Sequence, residues 1–426
     1  MTDRLIAEHL VERMTAAEKE LARRVERVLP ALRESALRAD SDAQFQLPHV
    51  KTFSEAGLLG LVVPKEYGGL GGTLRDLAGA VYAMGTACPS TALAYFFHCS
   101  SASRGLLALE AIEAGLFDAD EIPVVKAFAD KVLNKMGREG KWLANFASEA
   151  VKSVSSASTI TTEAAPVRGG WSLSGVKSFG CATGVADEYL VLARVAGSHS
   201  AEGLGLFLVP REASGVVPRA PWAPIGMRAT ATDGIILDKV FVPETNALAL
   251  PGAFTRLMQM SRGSFVGNQL AVAGIYLAVA QTVYDHVVGG LANKRFEDTG
   301  RPIAESPFHQ QLIGEMTVDL ETGYLWLRRQ LELETNEPPI LSKAMVARQW
   351  RMCKGEVCEA AFRVGTNALK ASGTTGTTNS GLVARAVRDL TMGLVQAFPM
   401  ERGRLEAAKM VIAGKEQELF GVAGVE

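Results

Sequence analysis

Six histidines are spread over 426 residues, and His98 is the one set in an apolar run, YFFHCSS at 95–101. Imidazole titrates near neutrality, so a histidine among aromatic and small residues can pass a proton to a reacting oxygen. The same pattern equally describes a core histidine with both nitrogens satisfied by backbone. His286 and His309 read as structural or surface residues. Five cysteines, Cys88, Cys99, Cys181, Cys353 and Cys358, are odd in number and lack zinc-site spacing, so reduced thiols and no metal site are expected.

The elements that must position such groups follow from periodicity and punctuation. Leu5, Leu10, Val11, Met14, Leu21, Val25 and Val28 form a helical stripe. LVVPKEYGGLGGT at 61–73 reads as a Pro/Gly-rich loop before a helix from Asp76 to Met84, and Ser90–Leu109 as a buried helix. From 171 to 243 the period changes to short strands, Trp171–Leu173, Val176–Phe179, Tyr189–Val195, Leu204–Val209 and Gly234–Val242. Gly175 is the expected turn of a tight hairpin between the first two. Beyond 251, two helical stripes recur, Ile313 to Leu331 and Val346 to Val364, separated by Pro338–Pro339 and consistent with a four-helix bundle. The expected class is therefore α+β, mostly helical, with a helical part at 1–138, a small β-domain at 139–248 and a helical bundle at 249–426.

Composition narrows the partners. A net charge of −2 gives no basic excess for nucleic acid. The N-terminal segment is charged and amphipathic without an apolar signal core, which reads as a cytoplasmic protein. Leu270–Tyr284 is apolar but shorter than a membrane span and interrupted by Gly274, so it is expected to be a core helix without membrane contact.

Five segments, in order, resemble the acyl-CoA dehydrogenase superfamily: LVVPKEYGGLGG, GWSLSGVKSFGCATGVADEYLVLARV, APIGMRATATDGIILDKVFVP, ASGTTG at 371–376 and Val387–Arg388–Asp389. The resemblance spans nearly the whole chain. It implies a helix–sheet–helix fold and a flavin, FAD with FMN as the alternative. Flavin-binding positions carried over are Ala147 and Ser148 in the loop ASEA, Phe179 where the family has a stacking tryptophan, and Cys181 where it has a threonine near flavin N5. Gly373 and Gly376 supply close backbone approach. Arg295, in NKRF, is the expected pyrophosphate partner, since guanidinium pairs two phosphate oxygens. Family members complete this site from a neighbouring subunit, so a homotetramer or homodimer is implied.

The catalytic glutamate of such dehydrogenases does not carry over. Its position, eight residues past Asp389, is Ala397; the alternative position is Asn268, and neither side chain takes a proton. Gln269 stands where the dehydrogenases have arginine. Glu401 is a displaced candidate, but ERGRLEAAK reads as an exposed charged helix. Met260–Phe265, Gln269, the segment 297–309 and the pair Phe97–His98 are instead similar to a flavin monooxygenase branch, although Leu390–Thr391 replaces its C-terminal His-Ser. His98 is thus the acid–base candidate, and Phe97, Asn268, Gln269 and Ala397 are placed around a substrate. The implied function is a flavin-dependent oxidoreductase acting on an acyl thioester of CoA or a carrier protein without the usual base. The alternative is a monooxygenase using O2 and reduced flavin, with a flavin reductase or electron-transfer protein as partner.

Overall fold

The computed structural model describes residues 4–150, 160–261, 270–396 and 399–413. Helices come first: α1 (Ala16–Glu26), α2 (Leu29–Asp42), α3 (Pro48–Glu55), α4 (Leu74–Gly85), α5 (Pro89–Glu113) and α6 (Ile122–Gly137). The N-terminal stripe is not one helix. A 3-10 turn at Ile6–His9 stops, and α1 restarts at a capping box: Thr15 Oγ1 accepts from Glu18 N–H, and the Glu18 carboxylate accepts from Thr15 N–H at 2.6 Å.

Among the described residues eight strands follow: β1 (Leu143–Phe146), β2 (Glu163–Val167), β3 (Gly170–Gly180), β4 (Glu188–Val195), β5 (Leu204–Pro210), β6 (Val216–Pro218), β7 (Asp233–Pro243) and β8 (Ala247–Leu248). They form one mixed sheet in the order β6-β7-β3-β2-β4-β5-β8, with β1 parallel to β4. The hairpin expected at Gly175 is absent. That glycine lies inside the continuous strand β3, at a register shift opposite β7 between Leu173 and Gly175. Its φ is +154°, and a Cβ there would fall 2.6 Å from Thr162 Cα, so glycine admits a bulge where the backbone passes close. The tight turn is one step earlier, at Arg168–Gly169, between β2 and β3.

The C-terminal part holds α7 (Ala253–Met260), α8 (Leu270–Asn293), α9 (Pro307–Thr335), α10 (Lys343–Ser372), α11 (Leu382–Val395) and α12 (Met400–Ala413). The central helix α10 packs on α8, α9, α11 and α12, while α8 also packs on α4 and α5. Helix α8 outruns its expected end by nine residues. Gly274 does not break it, because Leu10 and Leu327 side chains close over that position. It is the one described helix long and apolar enough to cross a membrane, and two-thirds of its most apolar window is packed inside the protein. All five cysteines are buried free thiols.

Candidate active site

A cavity of about 540 Å³ opens where the sheet meets α5, α8 and α11. One wall comes from α5, whose residues Leu93, Phe96, Phe97, Ser100, Ser103 and Arg104 step by three and four and so share one face. The facing wall comes from the end of β1 (Asn145, Ala147, Ser148), the end of β3 (Phe179–Cys181) and the loop carrying Trp222, Met227, Thr230 and Thr232. Tyr276 of α8 and Met392, Val395 and Gln396 of α11 close the third side.

His98 is one residue off the α5 stripe, and that rotation removes it from the cavity. It is fully buried, with Nε2 2.8 Å from the Leu59 carbonyl and Nδ1 accepting from Leu143 N–H at 3.0 Å. A carbonyl only accepts, so the ring is the neutral Nε2–H tautomer. Burial drives its pKa down to about 4. The acid–base role expected for His98 is therefore replaced by a positioning one: it ties α5 to the loop at Leu59 and to the first residue of β1. Phe97, its neighbour, does line the cavity.

The loop ending in Ser148 is locked from beneath. Glu149, in the next position, is buried with Lys177 of β3, Nζ to Oε1 2.6 Å. The same carboxylate accepts from Thr161 N–H at 2.7 Å, Thr162 N–H at 3.0 Å and the Thr161 hydroxyl at 2.5 Å. Burial alone raises a carboxyl pKa, but these donors outweigh it and hold Glu149 at about 2. Ser178 N–H donates to the Ser148 carbonyl at 3.1 Å, which fixes the loop beside Phe179.

Backbone strain gathers at the same place. Phe179, Ala182, Met227 and Ala231 are non-glycine residues with φ between 46° and 64°. Such conformations cost roughly 1–3 kcal/mol each and mark sites where the surroundings over-determine the chain. For Met227 the determinant is visible. The buried Asp389 carboxylate accepts its N–H at 2.6 Å, while Arg388 pairs with Asp40 at 2.6 and 2.9 Å. Gly226 passes so close that a Cβ would lie 1.9 Å from the Arg388 carbonyl. The Arg-Asp pair on α11 thus holds the loop that forms the cavity wall.

Cys181 ends a directed chain of hydrogen bonds. Thr230 hydroxyl donates to the Met227 carbonyl at 3.0 Å and Thr232 donates to Thr230 at 2.7 Å. With the Thr232 proton so used, the Cys181 thiol, 2.9 Å away, is the donor to Thr232. Burial pushes its pKa to about 12, so it stays a thiol and is no nucleophile. Tyr276 hydroxyl donates to Gln396, and burial raises its pKa well above the phenol range. At the mouth, half-exposed Phe179 meets Trp222 with ring centroids 4.8 Å apart.

Ala147, Ser148, Phe179 and Cys181 are thus brought together as expected neighbours of one cavity. Arg295, Gly373 and Gly376 are not. Arg295 is exposed and donates to the Gly300 carbonyl at 3.0 Å, and the two glycines lie in the 3-10 turn Gly373–Thr377 after α10; none of the three lines the cavity. Asn268, Gln269 and Ala397 fall outside the described residues. Glu401 opens α12 and is exposed, away from the cavity. Sequence reasoning missed Ser100, Ser103 and Arg104, although their spacing from Leu93 and Phe97 is helical. It also assigned no role to Met227, Thr230 or Thr232 within the segment GMRATATDG.

Comparison with known proteins places this architecture. The acyl-CoA dehydrogenase N-terminal, middle and C-terminal domains match residues 15–110, 144–240 and 258–412. The chain belongs to the acyl-CoA dehydrogenase superfamily. L-evernosamine nitrososynthase of Micromonospora sp. (strain ATCC 39149 / NRRL 15099 / SCC 1413) is 29% identical over 68% of this chain and 66% of that enzyme, so the match spans just under two-thirds of the relative's length. Cyclohex-1-ene-1-carbonyl-CoA dehydrogenase of Syntrophus aciditrophicus (strain SB) is 25% identical over 84% of this chain and 81% of that enzyme. Among solved structures, KijD3 in complex with FMN and a dTDP-linked amino-keto sugar superposes with a TM-score of 0.79, at 23% identity, over 97% of this chain and 98% of that one. That likeness shows the fold.

Proposed function

We propose that this protein is a flavin-dependent oxidoreductase that oxygenates a small organic substrate with O2. The observation that carries this reading is the cavity lining: among the described residues it includes no carboxylate and no imidazole. Abstraction of an α-proton from a thioester needs such a base, and the ionisable groups present, Arg104, Cys181 and Tyr276, hold their protons at neutral pH.

The residues fit a flavin. The sheet-side wall offers the Ser148, Thr230 and Thr232 hydroxyls and the Cys181 thiol, while Leu93, Phe97, Met392 and Val395 are apolar. A flat ring with apolar faces and a polar edge matches that division. Ser148 and Cys181 would meet the ring edge, and Phe179 and Trp222 would flank it at the mouth. When bound, flavin supplies two-electron redox chemistry and, once reduced, reaction with O2. One oxygen atom enters the substrate and the other leaves as water, with the electrons drawn from reduced flavin supplied by a partner reductase. The chain's own part is to hold ring and substrate together and to keep bulk water out. Arg295, exposed in one chain, would reach the cofactor of a second copy in a homodimer or homotetramer.

A second reading is oxidation of an acyl thioester on CoA or a carrier protein, favoured by the 25% identity to a CoA-thioester dehydrogenase over 81% of its length. The two separate in one experiment. Turnover under labelled O2 transfers label to product in the first reading. Anaerobic bleaching of the flavin by an acyl-CoA, with enoyl product, overturns it in favour of the second.

A further inference from the structure

Among the described residues, Arg104 is a buried cation without a counter-ion. Its side chain lines the cavity, on the same α5 face as Phe97 and Ser100, and the residue is only 9% exposed. One Nη atom meets the Met258 sulfur at 3.4 Å, and the guanidinium stands 5.8 Å from the Phe254 ring centre. A thioether is a weak acceptor. The Nε–H has no partner, and among the described residues no carboxylate pairs with this arginine. The neighbouring hydroxyls are engaged elsewhere: Ser100 donates to the Phe97 carbonyl at 2.8 Å and Ser103 to the Ser100 carbonyl.

By contrast, two less buried arginines are paired. Arg388 has Asp40, and Arg75 has Glu18 at 2.7 Å. Burying an uncompensated guanidinium destabilises the ligand-free fold, a penalty that an anion entering the cavity offsets. Guanidinium presents parallel N–H groups matched to the two oxygens of a carboxylate, and it does so here in a site shielded from water, where charge-assisted bonds are strong. Among the described residues the rest of the lining is apolar or carries hydroxyl, thiol or amide groups (Asn145 and Gln396), with no second cation.

We propose that Arg104 is a substrate-specificity residue that receives the anionic end, a carboxylate or a phosphate ester, of an elongated organic substrate whose opposite end lies beside Cys181 and Ser148. This deepens the oxygenase reading, on which it rests for which end reacts, but anion binding itself does not require that reading. A thioester substrate would carry the anion at the far end of its acyl group.

The test uses the full-length protein as purified and isothermal calorimetry with three probes of equal chain length: hexanoate, hexyl phosphate and 1-hexanol. Wild type binds hexanoate or hexyl phosphate roughly ten- to a hundredfold more tightly than hexanol, the range for a charged hydrogen bond. Whichever anion is tighter identifies the headgroup. R104M loses this preference and, with the buried charge gone, melts at or above the wild-type temperature without ligand. R104K keeps a cation and retains part of the preference. Equal affinity of wild type for hexanol and both anions, or an unchanged anion preference in R104M, overturns the proposal. The wild-type comparison decides even if a variant does not fold. Because calorimetry needs no turnover, absent oxygenation would count against the oxygenase reading alone.

Discussion

Replacing Glu149 with glutamine should destabilise the protein by about 3–5 kcal/mol, because it strands the ammonium of Lys177 in a fully buried position. The Glu149 carboxyl, held at about 2 against an ordinary 4.5, contributes on the order of 3 kcal/mol at neutral pH, part of which is offset by burial of the Lys177 ammonium, whose own pKa is lowered. The folded-state value of Glu149 is depressed, so this stability is fully present above about pH 4.5 and is lost as pH falls toward 2. The E149Q/K177M double variant removes both charges and should recover most of the single variant's loss. Equilibrium urea unfolding of wild type, E149Q, K177M and E149Q/K177M at pH 7, repeated for wild type and E149Q/K177M between pH 5 and 3, measures each quantity. Since Glu149 directly follows Ser148, E149Q should also weaken flavin binding. A loss below 1 kcal/mol in E149Q, or a double variant no better than the single one, would refute the claim that this pair locks the loop.

His98 has a folded-state pKa of about 4 against an ordinary 6.5, so wild-type stability should rise by about 3 kcal/mol as pH climbs through that window. In H98Q that rise should vanish while the pH profile of turnover stays unchanged; a lost ionisation in the turnover profile would restore His98 as an acid–base group. Gly226→Ala places a methyl 1.9 Å from the Arg388 carbonyl and should cost at least about 2 kcal/mol with loss of flavin affinity. Wild-type stability in that variant would show the loop is not held as described. Cys181, with its pKa at about 12, should resist iodoacetamide in the native protein at pH 8 and react only on unfolding, as peptide mass mapping would record.

The fold was legible because its signals are periodic. The α9 and α10 stripes follow the helical repeat, β4 and β5 are continuous apolar runs, and mistakes arose where a local feature overrode the pattern. Gly175 looked like a turn because glycine permits both a turn and a bulge, and only the approach of Thr162 decides between them. The N-terminal stripe hid the break at Thr15, although Thr15 and Glu18 carry a capping-box pattern. At the site, motif positions on β1 and β3 reached the cavity because strand ends place neighbours predictably. His98 did not: its chemistry was readable, but helical phase turns it 100° from Phe97, a step that residue type cannot report. Arg104 escaped notice because an arginine in SSASRG looks like an exposed charge until its lack of a partner is seen.

The central claim is that a flavin ring occupies the cavity between the sheet and α5. Fluorescence titration of the flavin-stripped protein with FAD and FMN, for wild type and C181W, tests it directly. Wild type should bind one flavin per chain, and C181W, folded by circular dichroism but with its indole filling the space beside Thr232, should not. Failure of wild type to bind either flavin, or equal binding by C181W, would contradict the account.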